Sequence, residues 1–91
     1  MEPRVLLENE RVRVTEWRLA PGEATGRHRH DRDYLVVPLA SGRVRLVEEG
    51  EAEPVTAELE AGRPTYRKAG HSHDVVNNNP TEFAFIEVEL S

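Results

Sequence analysis

Turn-forming residues recur at short intervals along this chain and limit the elements that fit between them. They are pairs or runs rich in Gly, Pro, Asn and Ser: Asn9-Glu10, Pro21-Gly22, Ser41-Gly42, Glu49-Gly50, Ala61-Gly62, Ala69-Gly70 and Asn77-Asn78-Asn79-Pro80. Gly and Pro are the strongest local interruptions of regular structure, and short segments between turn signals are typical of strands. The regular spacing of these turn-forming residues therefore predicts an all-β fold.

The segments between these turns carry the alternation of strands. Residues 11–17 and 43–47 alternate apolar and polar side chains. Residues 33–39 and 83–90 carry apolar side chains on both faces, which is typical of strands covered on each side. Residues 51–61 resemble a helix at first sight, but Pro54 and the β-branched pair after it favour a strand from about Ala52 to Leu59.

The length of 91 residues predicts one domain over residues 1–91, with no linker and room for one site. Only 37% of the residues are hydrophobic, so an all-β chain of this size has little core. We expect a homodimer, formed through a sheet face or an exchanged terminal strand, to supply the missing burial.

Charge and cysteine content narrow the partners. The chain has 12 basic and 17 acidic residues, a formal net charge of −5, which disfavours binding to nucleic acid or to an anionic membrane. The sequence lacks a basic leader and an apolar run of spanning length, so we expect a cytoplasmic protein. Without cysteine, any metal ion must be held by imidazole and oxygen.

The four histidines form two pairs with the same spacing. His28 and His30 are two residues apart, so both side chains leave the same face of a strand and can reach one point. The alternative is a surface turn that carries two histidines in an Arg-rich stretch. His71 and His73 repeat the spacing after the turn at Gly70, which favours metal chelation.

These residues resemble the cupin family. Its first motif runs Gly, five residues, His, one residue, His, three or four residues, Glu, six residues, Gly. Here the matching positions are Gly22, His28, His30 and Gly42. The motif's Glu is missing, because Tyr34 or Leu35 occupies its slot depending on the spacing counted.

The second cupin motif runs Gly, five residues, Pro, one residue, Gly, two residues, His, three residues, Asn. This chain has Gly62, Gly70, His73 and Asn77 at those spacings, with Lys68 in place of Pro. The segments at 14–22, 34–39 and 83–90 are similar to those of very small single-domain cupins, some of them associated with β-alanine degradation.

The resemblance implies a double-stranded β-helix, or jelly-roll barrel, with His28, His30 and His73 as ligands of one divalent transition metal ion. Iron, zinc, nickel, manganese and copper all remain open. Without the motif's Glu, we expect a centre ligated by imidazole alone, with open positions for an anionic oxygen.

Two further residues are candidate catalytic groups. In an unbroken strand, Tyr34 would point into the same cavity as His30 and offer its hydroxyl to a substrate or a metal-bound water. A bulge would turn Leu35 inward instead, and Tyr34 would then be a core residue. His71 would act as a proton carrier or an extra ligand at the rim, or would be an exposed turn residue.

The remaining aromatic and basic residues are interpreted mainly as core and surface residues. Trp17, Phe83 and Phe85 are expected in the core or a dimer face, and the alternative is that one of them lines the pocket. The arginines of the His28 region are read as solvated surface charge that could also steer an anion: Arg27, Arg29 and Arg32.

Three functions remain open at this point. The first is a metal-dependent enzyme, with oxygenase or related lyase or isomerase chemistry, acting on a small anionic or carbonyl-bearing metabolite. The second is a metal-dependent module that binds or senses a small molecule without turnover. The third is a metal-free scaffold, which the histidines at all three ligand positions disfavour.

Overall fold

A computed structural model describes residues 3–48, 53–70 and 72–91, and these residues form β-strands without an α-helix. None of these elements is a helix able to cross a membrane. The strands are β1 (Arg4–Glu8), β2 (Val12–Leu19), β3 (His28–Arg29), β4 (Tyr34–Pro38), β5 (Gly42–Glu48), β6 (Val55–Leu59), β7 (Thr65–Arg67), β8 (Ser72–Asn77) and β9 (Phe83–Leu90). The predicted all-β architecture is confirmed.

The strands form two antiparallel sheets. One sheet has five strands in the order β1-β2-β9-β4-β7, and the other has four in the order β3-β8-β5-β6. Neighbours within each sheet are mostly distant in sequence, as the jelly-roll topology requires. Consequently β9, the last strand, lies between β2 and β4 in the middle of the larger sheet.

The strand boundaries differ from the expected ones mainly at β6. This strand begins at Val55 rather than near Ala52, directly after Pro54, which has no N–H to donate to a ladder. Residues 49–52 lie outside the described part of the chain. The strand expected at 83–90 is observed as β9 with the same bounds.

The core lies between the sheets, toward one end of the barrel. The buried cluster consists of Leu19, Val44, Val75, Phe83 and Phe85. Trp17, which is partly buried, packs against it. Phe83 and Phe85 are therefore core residues, as predicted.

Two residues of the cupin-like motifs hold the turns at this end. The side chain of Asn77 is buried, and its Nδ2 donates to the carbonyls of Leu19 and Thr81 at 2.9 Å each. Gly42 lies so close to the turn that contains Asn79 that a Cβ at position 42 would be 2.6 Å from Oδ1 of Asn79. These positions are structural, which leaves the motif histidines to carry the chemistry.

Candidate metal centre

His28, His30 and His73 meet at the other end of the barrel, as the spacing predicts. β3 pairs with β8 so that His28 lies directly opposite His73, and their ring centroids are 4.6 Å apart. The ring of His30 lies 4.7 Å from that of His28 and 5.1 Å from that of His73. His30 follows the last residue of β3, and its carbonyl accepts a 2.8 Å hydrogen bond from the amide of Gly70.

Glu87 adds a carboxylate to this group. One potential ligand atom from each of His28, His30, His73 and Glu87 lies within 4.8 Å of the others. The expectation of a centre ligated by imidazole alone did not include this carboxylate, which the structure places within reach of the same ion. The reason is strand order: Glu87 pairs with Val36 across β9 and β4, so the neighbouring strand brings in the carboxylate that the first motif lacks.

The atoms that face away from the centre are occupied by hydrogen-bonding groups. The pairs are Nδ1 of His28 with the carbonyl of Gly26 (2.9 Å), Nδ1 of His30 with Oε1 of Glu89 (3.2 Å), Nδ1 of His73 with the Tyr34 hydroxyl (3.5 Å), and Nε1 of Trp17 with Oε1 of Glu87 (2.8 Å). Such contacts fix the ring orientation and tautomer of metal-ligating histidines. Each Nε2 is thereby left facing the common centre.

The inward nitrogens are the atoms that fit a metal ion. Nε2 of His30 is buried and has no hydrogen-bond partner in the described part of the chain. It lies 3.3 Å from Oε2 of Glu87, a charge contact without hydrogen-bond geometry. Nε2 of His73 faces Nε2 of His28 at 3.0 Å. A cation bound by these nitrogens and the carboxylate would satisfy all four groups.

The electrostatics of the group shift the pKa values of His73 and His30 in opposite directions. Burial, followed by repulsion from His28 and His30, lowers the pKa of His73 to about 4, so this imidazole is neutral at pH 7. Burial also lowers the pKa of His30, but the close contact with the Glu87 carboxylate, the hydrogen bond with Glu89 and the charges of both carboxylates outweigh it and leave the pKa raised.

The pKa of Glu87 is lowered overall. Burial alone would raise it, but the close polar contact with His30, the charge of His30 and the hydrogen bond from Trp17 more than offset that influence. The carboxylate is therefore ionised at neutral pH, as metal ligation requires. A divalent ion at this centre would be half neutralised by Glu87.

Tyr34 points into the barrel, as expected for an unbroken strand. It is 3% exposed, and its ring stacks on that of His30 at 3.9 Å. Leu35 takes the opposite face of β4, so the bulge that would turn it inward is not formed. Burial raises the pKa of the Tyr34 phenol against the opposing influence of Arg67, so the hydroxyl stays protonated.

Other predicted residues are placed as follows. His71 lies outside the described residues, and its role as proton carrier or ligand stays a prediction. Arg27, Arg29 and Arg32 are exposed, which agrees with the reading of surface charge. Trp17 stacks on His28 at a centroid distance of 5.9 Å and so borders the site as well as the core.

The carboxylates of β9 were missed by the sequence reasoning, although a signal for them exists. Phe83, Phe85, Glu87 and Glu89 share one face of the strand, and the two phenylalanines are core residues. A glutamate in register with core phenylalanines must also point inward. Inward carboxylates on a strand without an apparent partner are candidate metal or histidine contacts.

A cavity of about 60 Å³ adjoins His73. Its polar lining residues are Tyr34, Thr65, Arg67 and His73. The rest of its wall is apolar and consists of Val36, Val44, Leu46, Ala57, Leu59, Val75 and Phe85. A wider, more open pocket borders this cavity, and we call it the mouth. It is lined by Tyr34, Glu48, Tyr66, Arg67, Lys68 and His73. The arrangement places a small, mostly apolar ligand space beside a metal-binding group.

Comparison with known proteins finds relatives that are similar to this chain over nearly its whole length. The chain is 48% identical over 89 residues to the β-alanine degradation protein BauB of Pseudomonas aeruginosa, covering 97% of this chain and 90% of that protein. A crystal structure of a cupin domain from Bordetella pertussis is 46% identical, with a TM-score of 0.91, and the match covers 99% of this chain and 92% of that one.

A more distant structure shares the architecture. A conserved protein with a double-stranded β-helix domain from Klebsiella pneumoniae is 25% identical, with a TM-score of 0.78, over 98% of this chain and 76% of that one. The cupin domain profile matches residues 15–89, well over half of the sequence. The chain therefore belongs to the cupin family.

Proposed function

We propose that this cupin binds one divalent transition metal ion through His28, His30, His73 and Glu87 and acts on a small anionic or carbonyl-bearing metabolite. The observation that carries the proposal is the convergence of three Nε2 atoms and one carboxylate while hydrogen-bonding groups hold the outward atoms. Mixed imidazole and carboxylate ligation suits iron, zinc, nickel, manganese or copper. A bound ion would supply a Lewis acid, and oxygenase or lyase and isomerase chemistry is the proposed reaction class.

The chain's own residues define how a ligand would be handled. When Nε2 of His73 is a ligand, Nδ1 carries the proton and donates to the Tyr34 oxygen. The Tyr34 O–H is then free to donate to a ligand oxygen in the cavity. The raised pKa of Tyr34 favours this donor role over a role as base. The apolar walls exclude water from the ligand body.

The relative named for β-alanine degradation supports a short carboxylate or carbonyl compound as the ligand. β-Alanine and other three-carbon acids are therefore the first compounds to test with the metal-loaded protein. Product formation would establish an enzyme. Tight binding without product would instead establish the binding or sensing module.

Metal content is the decisive measurement. We expect about one metal ion per chain by elemental analysis of protein purified without a metal-affinity step. His30→Ala and Glu87→Gln should lower the metal content strongly. Glu58→Gln, which changes an exposed glutamate of β6, is the matched control and should leave it unchanged. A content near zero that resists reconstitution would contradict the proposal.

The variant His71→Ala tests the fourth histidine separately. We expect it to retain most of the metal, because the other three histidines and Glu87 already form a complete group. A loss as large as that of His30→Ala would make His71 a further ligand.

We also propose that the chain forms a homodimer. β1 is the edge strand of the larger sheet, all five of its residues are exposed, and Val5, Leu6 and Leu7 are 43–53% exposed. An exposed apolar strand with one unpaired edge is a surface that tends to pair with another chain. Light scattering at micromolar concentration should give twice the mass of one chain, and a monomer mass would contradict this. The cytoplasmic location stays a prediction.

A further inference from the structure

Arg67 and Glu48 join the two sheets beside the candidate metal centre. Arg67 on β7 lies directly opposite Tyr34 on β4, and Glu48 on β5 lies directly opposite His73 on β8. Nη2 of Arg67 donates to Oε1 of Glu48 at 2.7 Å. The ion pair therefore spans the mouth of the cavity, with Tyr34 and His73 behind it.

The charge and accessibility of Arg67 favour a role in ligand binding over a purely structural one. Among the described residues that line the cavity, it has the only permanent positive charge, and the other lining side chains are mostly apolar. It is about one-third exposed, so solvent and ligands can reach it. A partly exposed ion pair contributes little to folding stability, and its charges remain available for exchange with another anion.

The chemistry of the pair indicates which anion would compete. A guanidinium can bind a carboxylate through two parallel N–H donors. Arg67 already makes one such contact, from Nη2 to the carboxylate of Glu48. A cavity of about 60 Å³ has room for roughly four or five water-sized groups. The matching ligand is a monocarboxylic acid with three or four carbons in total.

We propose that Arg67 anchors the carboxylate of a short-chain organic acid whose body fills the apolar cavity, and that Glu48 occupies the guanidinium until the acid binds. The inference rests on the proposed function and specifies its ligand class. Tyr34 and His73 line both the cavity and the mouth where Arg67 lies, so the anchored acid would sit beside the metal-binding group. Arg67 would thus fix the orientation of the ligand relative to the metal-binding group.

The test uses the full, metal-loaded chain and a small series of probes, with affinity measured by ligand-observed NMR titration. Propionate and butyrate should bind, whereas the neutral propionamide should bind at least tenfold more weakly because it lacks the charge-assisted contact. Hexanoate exceeds the cavity and should also be weaker. Inorganic phosphate should not compete, and competition equal to that of propionate would overturn the assignment of the site to organic acids.

Substitutions separate the anchor from its resident partner. Arg67→Met should weaken propionate binding roughly tenfold or more. Glu48→Gln should strengthen it severalfold, because the competing charge is removed while the shape is kept. Arg63→Met is the matched control, since Arg63 pairs with Glu60 at 3.6 Å on the exposed surface, outside this cavity. That variant should bind propionate like the unaltered protein.

Two results would overturn the inference. Unchanged propionate affinity in Arg67→Met would place the carboxylate elsewhere, for example on the metal ion, and unchanged affinity in Glu48→Gln would remove the resident role of Glu48. If Arg67→Met does not fold by circular dichroism, Arg67→Lys replaces it. That variant keeps the charge but loses the planar fork, and it should bind severalfold more weakly; unaltered affinity would again contradict the proposal.

Metal analysis of each sample separates this inference from the proposed function. Full metal content together with lost propionate binding in Arg67→Met supports both. Full metal content with retained propionate binding overturns only the anchor. Absence of metal from the unaltered chain overturns the proposed centre, and the Arg67 comparison can still be made, because Arg67 is not one of the metal-binding residues.

Discussion

The two ends of β9 face the same interior but have opposite chemical character. Phe83 and Phe85 fill the core at one end, whereas Glu87 and Glu89 contact His30 at the other. β8 changes in the same direction, from Val75 in the core to His73 in the metal-binding group. One barrel interior is thus divided into an end that forms the core of the fold and an end that holds the candidate metal ligands.

This division means that substitutions at the two ends should have different consequences. At the core end, the loss of volume should cost folding free energy and leave the ligand atoms in place. At the binding end, the loss of a polar group should change ion affinity and pH dependence more than it changes packing. Three predictions test this separation, in decreasing order of expected effect.

Phe83→Ala should have the largest effect on stability. Phe83 is 1% exposed, and removing a fully buried phenyl ring costs about 3–5 kcal/mol of unfolding free energy. Urea denaturation followed by circular dichroism measures the loss. Val55→Ala, at a 55% exposed strand position, is the control and should change stability by less than about 0.5 kcal/mol. Similar losses in both variants would contradict the assignment of the core.

Acidification of the metal-free protein should lower its folding stability, because His73 titrates at the end of the barrel that holds the candidate metal ligands. The folded-state pKa of His73 is about 4, below its ordinary value of 6.5, so the unfolded chain binds more protons between these limits. Stability should therefore fall as the pH is lowered from 6.5 to 4. The raised pKa of His30 acts in the opposite sense, but its contribution is complete below pH 6.5.

His73→Asn identifies the source of that pH dependence. The variant lacks the imidazole, so its melting temperature should fall less than that of the unaltered protein over the same pH range. Both proteins are measured after removal of metal with a chelator. Equal slopes would show that another group causes the acid sensitivity.

Trp17→Phe should have the smallest of these effects on folding and a selective one on metal binding. Phenylalanine keeps an aromatic ring, although a smaller one than indole, but the 2.8 Å hydrogen bond to Oε1 of Glu87 is lost. Loss of such a supporting contact typically lowers metal affinity about 10–100-fold. Competition with a chelating dye measures the change. Tyr66→Phe, which removes a surface hydrogen bond to Asp33, should leave affinity unaltered.

The sequence predicted the parts of the site that depend on local geometry. The spacing of His28 and His30 fixes their common face. The sequence left open whether Tyr34 or Leu35 points inward, and the unbroken strand β4 places Tyr34 inside. The second motif predicted the position of His73. The fold class followed from the turns and from the two motifs together.

Contacts that depend on strand order were not predictable from these patterns. Glu87 enters the metal-binding group because β9 is inserted between β2 and β4, and local alternation does not specify sheet neighbours. Arg67 and Glu48 meet because β7 and β5 belong to opposite sheets that approach at the mouth. Their partners are set by the packing of the whole barrel.

The contact between Trp17 and the histidine group has a practical consequence for experiments. Trp17 is the single tryptophan of the chain, so the intrinsic fluorescence of the protein comes chiefly from an indole that stacks on His28 and donates to Glu87. An open-shell ion held beside this indole should quench its emission, whereas zinc, with a filled d shell, should mainly shift it. The protein therefore contains its own optical reporter of metal occupancy and metal class.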